Sequence, residues 1–365
     1  MHITIVAGTR PNFVKISPII HAIEEKKKSG RNIDFNLVHT GQHYDSSMSD
    51  SFFSQLSIPE PTINLEVGSG TQAEQTGQIM LGFEKYLLSN STDLVLVVGD
   101  VTSTMACAIV AKKLNIKLAH VEGGIRSFDM AMPEEINRKV TDSITDIFFT
   151  TSTIANDNLK KEGVTDNQIF FVGNVMIDSL LKNEPNFKEP DFFSVHKILP
   201  KQYYTLTLHR PSNVDNPEIL KTLLTTIQDN SKGFKIIFPV HPRTMKIIEK
   251  HEINMDQFIC IPPMSYLEFN FLVMNSFAVI TDSGGITEET TVLGIPCLTL
   301  RENTERPETV SLGTNELIGT STKKLIHYLA KLEAGDWKKG RIPELWDGKS
   351  AERIINHLLD LFSIQ

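Results

Sequence analysis

Short runs of β-branched and other apolar residues alternate along the chain with longer amphipathic stretches. In the first half, the runs predict strands at residues 3–7, 35–39, 94–98, 117–121, 147–150 and 169–172. In the second half, they predict strands at residues 203–208, 235–240, 277–281 and 297–300. Strands that alternate with helices in this way form parallel sheets covered by helices. The pattern therefore predicts an α/β protein.

The domain organisation follows from length and from one irregular segment. A chain of 365 residues exceeds what a single hydrophobic core usually organises. Residues 181–200 contain three prolines and no clear periodicity, which is typical of a join. We therefore expect an N-terminal Rossmann-like domain at 1–180, a C-terminal one at 181–350, and a last helix within 351–365 that packs back on the N-terminal domain.

Composition excludes several classes of partner. The formal net charge of −8 argues against recognition of nucleic acid or of an anionic membrane by bulk electrostatics. The three cysteines are far apart and lack metal-ligand spacing. The chain starts directly with a strand, and no apolar run reaches the roughly 18 residues that span a bilayer. We expect a cytoplasmic protein without a structural metal.

The residues after the first strand do not form a dinucleotide-binding turn. The sequence there is GTRP, residues 8–11, whereas such a site needs GxGxxG and an acidic residue after the second strand. A bound NAD is therefore not expected. Arg10, at this strand-to-helix turn, can hold a phosphate through two hydrogen bonds, or it can be an ordinary solvated arginine.

Carboxylates follow the next strands of the first half. Asp100 comes directly after a strand, where it can be catalytic or can cap the next helix. Glu122 lies between an apolar strand and a Gly-Gly turn, where it has little structural purpose, and this favours a functional role. Glu134 is in the first turn of a predicted helix, where acidic residues complement the helix dipole. Arg138 lies four residues further on and can pair with Glu134.

The second half offers a site for an anion. His209 and His241 each stand at the carboxyl end of a strand with an arginine nearby. The strongest local pattern is TDSGGITEE, residues 281–289, which predicts a strand, a small-residue turn and a helix start. The backbone N–H groups of this turn can hold a diphosphate at the positive end of the helix. Glu289 is then within reach of the ribose of the same nucleotide; the alternative is a purely structural turn.

Eight signatures, in this order, resemble those of the non-hydrolysing UDP-N-acetylglucosamine 2-epimerases along essentially the whole chain. They are GTRP (8–11), GQH (41–43), GD (99–100), HVEGGIR (120–126), PEEINR (133–138), PVHP (239–242), TDSGG (281–285) and TERPE (304–308). The resemblance implies two Rossmann-like domains in a GT-B arrangement, with the active site in the interdomain cleft. It also implies a homodimer, a UDP-sugar substrate and no metal or redox cofactor.

The resemblance also implies roles for individual residues. It assigns four to catalysis: Asp100, Glu122, Glu134 and His209. It assigns a second group to the substrate, chiefly to UDP and its phosphates: Arg10, Arg138, His241, Ser283, Gly284, Gly285, Glu289 and Arg306. Phe269 is placed near the uracil, although an ordinary core aromatic would fit the sequence equally well. Lys15, Gln42 and His43 are candidate regulatory residues.

The implied reaction is reversible epimerisation at C2 of UDP-N-acetylglucosamine to UDP-N-acetylmannosamine, for precursors of bacterial surface polysaccharides. UDP leaves across C1–C2 to give 2-acetamidoglucal and adds back after a proton has reached the opposite face. Three alternatives remain: a hydrolysing epimerase that releases UDP, a GT-B glycosyltransferase and a non-catalytic nucleotide-sugar sensor. The three carboxylates of the first half disfavour the transferase and the sensor.

Three short segments differ from the bacterial members of that family. They are YD at 44–45, GSG at 68–70 and PSNV at 211–214, where donors that hold a second, activating substrate molecule are expected. An effector shifts an equilibrium only if it binds one state better than the other. The sequence therefore predicts hyperbolic kinetics without activation by substrate.

Overall fold

The computed structural model describes residues 1–41, 53 and 55–363. The chain forms two compact units: Met1–Ser179 together with Glu344–Gln365, and Leu180–Pro343. Among the described residues, no helix is long and apolar enough to cross a membrane. Each unit is built on one parallel sheet.

The first unit contains a seven-stranded sheet. Its strands are β1 (His2–Ala7), β2 (Asp34–His39), β3 (Ile63–Asn64), β4 (Leu94–Val98), β5 (Lys117–Val121), β6 (Ile147–Thr150) and β7 (Ile169–Phe171). Its helices are α1 (Arg10–Lys28), α2 (Gln72–Ser89), α3 (Thr102–Lys113), α4 (Pro133–Ile144), α5 (Thr153–Lys161), α6 (Val175–Asn183) and, after the second unit, α15 (Ser350–Ser363). The strand order is β3-β2-β1-β4-β5-β6-β7.

The second unit contains a six-stranded sheet of the same kind. Its strands are β8 (Tyr203–Thr207), β9 (Lys235–Pro239), β10 (Phe258–Ile261), β11 (Ala278–Thr281), β12 (Cys297–Thr299) and β13 (Asn315–Leu317). Its helices are α7 (Phe192–His196), α8 (Pro211–Val214), α9 (Pro217–Asp229), α10 (Pro242–Lys250), α11 (Tyr266–Met274), α12 (Gly284–Leu293), α13 (Pro307–Ser311) and α14 (Thr322–Glu333). The strand order is β10-β9-β8-β11-β12-β13.

Central strands are apolar throughout because helices cover both faces of each sheet. All five residues of β4, sequence LVLVV, are buried, and four residues of β8 are buried as well. Continuous apolar runs of this kind are the mark of parallel strands that have no solvent-facing side. The α/β prediction with two Rossmann-like domains is confirmed.

The strand order reverses once in each sheet, and this places the candidate residues. In the first unit the chain leaves β1 toward β2 on one side, and β4 lies on the other side. In the second unit the chain leaves β8 toward β9 on one side, and β11 lies on the other side. In open α/β sheets, ligands bind beyond the carboxyl ends of the strands at such a reversal. The loops after β1, β4, β8 and β11, together with the loop after β5 beside β4, are therefore the candidate ligand positions.

The last helix belongs to the first unit. The backbone N–H groups of Ser350 and Ala351, at the start of α15, donate to the carboxylate of Asp178 at 3.1 and 2.7 Å. Burial raises the pKa of Asp178, and these two hydrogen bonds oppose that effect. The indole of Trp346 is fully buried and donates to the carbonyl of Thr151 at 2.9 Å. These contacts attach the final segment to the end of the N-terminal sheet.

Candidate active site

Glu122 lies at the carboxyl end of β5, beside the end of β4. The register pairs Val98 with Val121, so the residues that follow the two strands are neighbours. Glu122 is 3% exposed, and Nζ of Lys15, on α1, is 2.6 Å from Oε2 of Glu122. Lys15, expected as a regulatory residue, thus contacts a predicted catalytic carboxylate.

The backbone around Glu122 is unusual. Its φ of +71° is in the left-handed region, which a non-glycine residue rarely adopts. Gly99, at the end of β4, also has a positive φ, and a Cβ there would lie 3.2 Å from Nζ of Lys15. Strained backbone tends to persist at functional sites, where the surrounding structure maintains it. The geometry therefore favours a functional role for the Glu122–Lys15 pair.

Asp100 is held by an arginine. Helix α3 begins at Thr102, and the residue at its N-cap position is Val101. Oδ2 of Asp100 instead accepts hydrogen bonds from Nε and Nη2 of Arg138 at 3.0 and 2.6 Å. Charge-assisted pairs of this kind fix the orientation of a carboxylate. Arg138, expected at the substrate, is buried and engaged by protein carboxylates.

The two acidic residues at the start of α4 have different environments. Glu135, and not Glu134, pairs with Arg138, at 2.7 Å. Glu135 is fully buried and accepts from the N–H groups of Ser127 and Phe128 at 2.9 and 3.0 Å. Burial would raise the pKa of Glu135, but the hydrogen bonds from Ser127 and Arg138 outweigh it and lower that pKa. Within the described residues Glu134 forms no hydrogen bond or ion pair, and its carboxylate is partly exposed.

The loop after β1 is attached to the end of β4. Oδ1 of Asn12 accepts from the N–H groups of Gly8 and Thr9, both at 3.1 Å, and its Nδ2 donates to the carbonyl of Val98 at 3.2 Å. Arg10, the first residue of α1, is exposed beside this connection. Asn12 thus fixes the loop that presents Arg10. The sequence contained no signal for it beyond its place after GTRP.

In the second unit a buried aspartate orients His209. His209 follows β8, and Asp282 follows the adjacent strand β11. Oδ1 of Asp282 is 2.7 Å from Nδ1 of His209, whose side chain is 59% exposed. Since a carboxylate only accepts, Nδ1 carries the proton and Nε2 faces outward.

Asp282 stays ionised although it is fully buried. It accepts from the backbone N–H groups of His209 and Arg210 and from Nδ2 of Asn213 at 3.0 Å. Burial alone would raise the pKa of Asp282, but the hydrogen bonds from His209, Arg210 and Asn213 lower it. Asp282 is a functional candidate that sequence reasoning missed, although it lies inside the TDSGG signature. Asn213, in the segment 211–214 that differs from bacterial relatives, is one of the donors to the Asp282 carboxylate.

The turn before α12 differs in one detail from the expected anion site. Helix α12 begins at Gly284, and Ser283 is its N-cap without a side-chain capping bond. The first N–H groups of a helix have no acceptor within the helix, which leaves those of Gly284 and Gly285 for a ligand. The N–H of Ser283, expected to join them, instead donates to Oγ1 of Thr281 at 3.0 Å.

Gly284 has a close neighbour in the loop after β12. A Cβ at Gly284 would lie 2.6 Å from Oε1 of Glu305. Glu305 itself is paired with Arg301, whose Nη2 is 2.7 Å from Oε2. The turn before α12 is therefore lined by an arginine and a carboxylate from the loop after β12.

The other predicted nucleotide-binding residues are all in the second unit. Arg306 is buried and paired with Glu288. His241 is exposed at the N-cap of α10, where its Nδ1 accepts from the N–H of Arg243. Phe269 packs against an apolar cluster, as the core alternative requires. Gln42 and His43 of the GQH signature, and residues 44–45, lie outside the described residues.

Glu289, expected near the ribose, is buried on α12 next to Glu288. Burial, and then the charge of Glu288, raise the pKa of Glu289 from 4.5 to about 7. A carboxyl group with a raised pKa binds its proton more tightly in the folded than in the unfolded protein. Its contribution to stability is therefore fully present below pH 4.5, the pKa of the unfolded state. That contribution is lost as the pH rises through about 7.

We expect Glu289→Gln to stabilise the protein and to weaken nucleotide binding. At a pH well above the raised pKa, the free energy of unfolding is expected to increase by about 3 kcal/mol, and this increase vanishes in acid. Denaturant unfolding across this pH range measures the gain, and calorimetry with UDP measures the affinity. A variant that loses stability in alkali would contradict the expected sign.

No group of three or more His, Cys, Asp or Glu residues in the described part of the chain has an arrangement that could hold a metal ion.

The sequence model of the UDP-N-acetylglucosamine 2-epimerase family matches residues 25–359. The chain is 43% identical to the UDP-N-acetylglucosamine 2-epimerase of Methanocaldococcus jannaschii, over 98% of this chain and 99% of the relative.

One further relative and a crystal structure agree. A UDP-2,3-diacetamido-2,3-dideoxy-D-glucuronate 2-epimerase of Pseudomonas aeruginosa is 36% identical over 99% of this chain and all of the relative. The crystal structure of the Methanocaldococcus jannaschii enzyme in complex with UDP-GlcNAc and UDP superposes with a TM-score of 0.87 at 42% identity, over 98% and 99% of the two chains. A match of this length and identity establishes that the chain belongs to the UDP-N-acetylglucosamine 2-epimerase family.

Proposed function

We propose that the protein interconverts UDP-N-acetylglucosamine and UDP-N-acetylmannosamine without net hydrolysis. The observation that carries the proposal is the set of carboxylates near the carboxyl ends of the strands of the first sheet. Each of these carboxylates has a different environment. Arg138 holds Asp100, Lys15 contacts Glu122, and Glu134 has no partner among the described residues. The relative from Methanocaldococcus jannaschii, with its bound UDP-GlcNAc and UDP, supports the choice of substrate.

The chemistry needs both a leaving group and proton transfer. The C2 proton of an N-acetylhexosamine is not next to a carbonyl, so a free carbanion at neutral pH is not accessible. In the proposed reaction the C2–H and C1–O bonds break, a C1–C2 double bond forms, and UDP takes the bonding electrons of the C1–O bond. A proton then adds to the opposite face of C2 and UDP returns to C1, so that no water is consumed.

The second unit would stabilise the departing diphosphate. With Nδ1 bound to Asp282, the outward Nε2 of His209 can donate to a phosphate oxygen when the ring is protonated. The amides of Gly284 and Gly285 supply further donors at the start of α12. Donors aimed at developing negative charge are commonly the largest contribution to catalysis. The three carboxylates of the first unit would serve as the acid and base groups.

Proton NMR in deuterated water tests the proposal. With UDP-N-acetylglucosamine as the only substrate and with no added metal or NAD, we expect UDP-N-acetylmannosamine to appear and deuterium to enter at C2. UDP accumulating in proportion to turnover would instead indicate a hydrolysing epimerase. Loss of activity with EDTA, restored by a divalent ion, would count against a metal-free mechanism.

A different sugar is the second candidate, because one relative acts on a diacetamido uronate. The Pseudomonas aeruginosa protein is named as a 2-epimerase of UDP-2,3-diacetamido-2,3-dideoxy-D-glucuronate and is 36% identical. The same elimination across C1–C2 would apply to that sugar. Comparing kcat/KM for the two nucleotide sugars decides between them.

We also expect the enzyme to work without substrate activation. Lys15 is occupied by Glu122, and Asn213, in the segment 211–214, is occupied by Asp282. These side chains are therefore engaged in holding site carboxylates. With UDP-N-acetylmannosamine as the only substrate, the initial rate is expected to depend hyperbolically on its concentration. An absolute requirement for traces of UDP-N-acetylglucosamine would show that an activating site is present.

A further inference from the structure

A buried polar cluster lies directly behind the loops that carry Asp100 and Glu122. His120, near the end of β5, is 0% exposed. Its Nδ1 is 2.6 Å from Oδ1 of Asp142, and its Nε2 is 2.8 Å from the carbonyl oxygen of Gly99. The reaction proposed above gives this histidine no role.

Both atoms that face the ring are hydrogen-bond acceptors. A carbonyl oxygen carries no proton. Oδ2 of Asp142 accepts from the N–H of Gly124 at 3.0 Å and is 2.7 Å from Nη1 of Arg126. Burial would raise the pKa of Asp142, but His120, Arg126 and Gly124 lower it, so this group is a carboxylate. A neutral imidazole has one N–H, and one of its two contacts would then join two acceptors.

We propose that His120 is a buried imidazolium that positions Asp100 and Glu122 by joining the loops on which they stand.

Each charged group near His120 has a partner of opposite charge, which buried charges require. Besides Asp142, the guanidinium of Arg126 pairs with Glu162, whose Oε1 accepts from Nε at 2.9 Å. Lys139 also contacts Glu162, at 3.3 Å. The two carboxylates therefore face Arg126 and Lys139 as well as the ring of His120. The remaining charged pairs at these loops are Asp100 with Arg138 and Glu122 with Lys15.

The two contacts of the ring lead directly to the proposed catalytic carboxylates. Gly99 immediately precedes Asp100, and its N–H donates to the carbonyl of Val121, next to Glu122, at 3.1 Å. Asp142 holds the N–H of Gly124, two residues after Glu122. If either contact is lost, the corresponding loop loses a fixed attachment. A displacement of about 1 Å can cost 10²-fold in rate even when the change is remote from the reacting atoms.

Glycine at position 123 is consistent with this arrangement. A Cβ at Gly123 would lie 2.9 Å from the ring of Phe148, 3.4 Å from Oδ1 of Asp142 and 3.5 Å from Nδ1 of His120. A larger residue would press on the contact between the ring and the carboxylate. Glycine leaves that contact undisturbed.

The protonation state can be measured on the unmodified protein. In ¹⁵N NMR of the full chain labelled at histidine, we expect one imidazole with two protonated nitrogens of similar chemical shift near neutral pH, slow to exchange with solvent. His120→Asn identifies this signal by removing it. A neutral tautomer for His120 would overturn the proposal. This measurement does not depend on epimerase activity, whereas the kinetic test below rests on the proposed function.

Two variants separate the two contacts of the ring. The amide of His120→Asn can reach Asp142 but not Gly99, and that of His120→Gln can reach Gly99 but not Asp142. For both we expect kcat to fall about 10²-fold, with unchanged affinity for UDP in calorimetry. The control is His357→Gln, a histidine of α15 that packs on Phe170 in the same unit, with unchanged kcat. Folded variants that keep kcat within about twofold would overturn the positioning role; if neither variant folds, the NMR result on the unmodified protein decides.

Discussion

Glu122→Gln is expected to lower kcat by about 10²- to 10⁴-fold, the usual contribution of a general acid or base. The substitution preserves the shape of the side chain and removes its charge. It also leaves the ammonium group of Lys15, 2.6 Å away and largely buried, without its anionic partner. UDP affinity is expected to change little because the residues assigned to the nucleotide belong almost entirely to the second unit. Single-turnover kinetics and calorimetry with UDP separate these effects.

Two further substitutions serve as comparisons for Glu122→Gln. Asp100→Asn is expected to lower kcat similarly, since it removes the proposed catalytic charge while Arg138 keeps its pair with Glu135. Glu84→Gln, at an exposed carboxylate on α2, is the matched control and should leave kcat unchanged. A Glu122→Gln protein that is folded but no longer binds UDP would refute the assignment of Glu122 to the sugar.

Asp282→Asn is expected to lower kcat by about 10²- to 10³-fold, as the loss of one preorganised donor commonly does. An amide at this position presents no negative charge to Nδ1 of His209, so the protonated ring whose Nε2 would donate to the leaving phosphate loses the anion that stabilises it. Stability should fall as well, by about 1–3 kcal/mol, because buried N–H groups lose a charged acceptor. Steady-state kinetics and denaturant unfolding measure the two losses.

The pH dependence of the stability loss has a definite sign. The pKa of Asp282 is lower in the folded protein than its ordinary value of 3.8, so its stabilisation is present above pH 3.8 and is lost as the pH falls through the folded pKa. The difference between Asp282→Asn and the unmodified protein should therefore shrink in acid. Asp215→Asn, which breaks the exposed pair with Arg243, is the control. Its effect should stay within about 1 kcal/mol. A constant difference across pH would contradict the inferred role of the Asp282 charge.

Sequence patterns predicted all the longer strands and some of the short ones, such as β7 and β12. The bounds of β4, β5 and β6 agree with the prediction, and other predicted strands differ by one residue at an end. Three strands were missed: β3, β10 and β13, with two to four residues each. Runs this short carry too few apolar positions to show a period. Their place is decided by pairing with a neighbour that is distant in sequence.

The strand ends at which the candidate residues stand were predicted, but their partners were not. Asp100 and Glu122 follow β4 and β5, as the sequence pattern predicted. Local spacing, however, suggested that Arg138 pairs with Glu134, whereas it pairs with Glu135 and with Asp100, 38 residues earlier. Such pairs depend on strand register and helix rotation, which local spacing does not reveal. Asp282 was missed for the same reason, since its donors follow a different strand.

The chain completes its first unit only after it has made the second, and this sets an order for folding on the ribosome. The first unit lacks α15 until residues 344–363 are synthesised, so α1 remains without the helix that packs on it. Asp178 likewise waits for Ser350 and Ala351. At about 5–20 residues per second, the intervening Leu180–Pro343 takes on the order of ten seconds or more to make. During that interval the continuous second unit can fold cotranslationally, while the nascent first unit stays a substrate for chaperones.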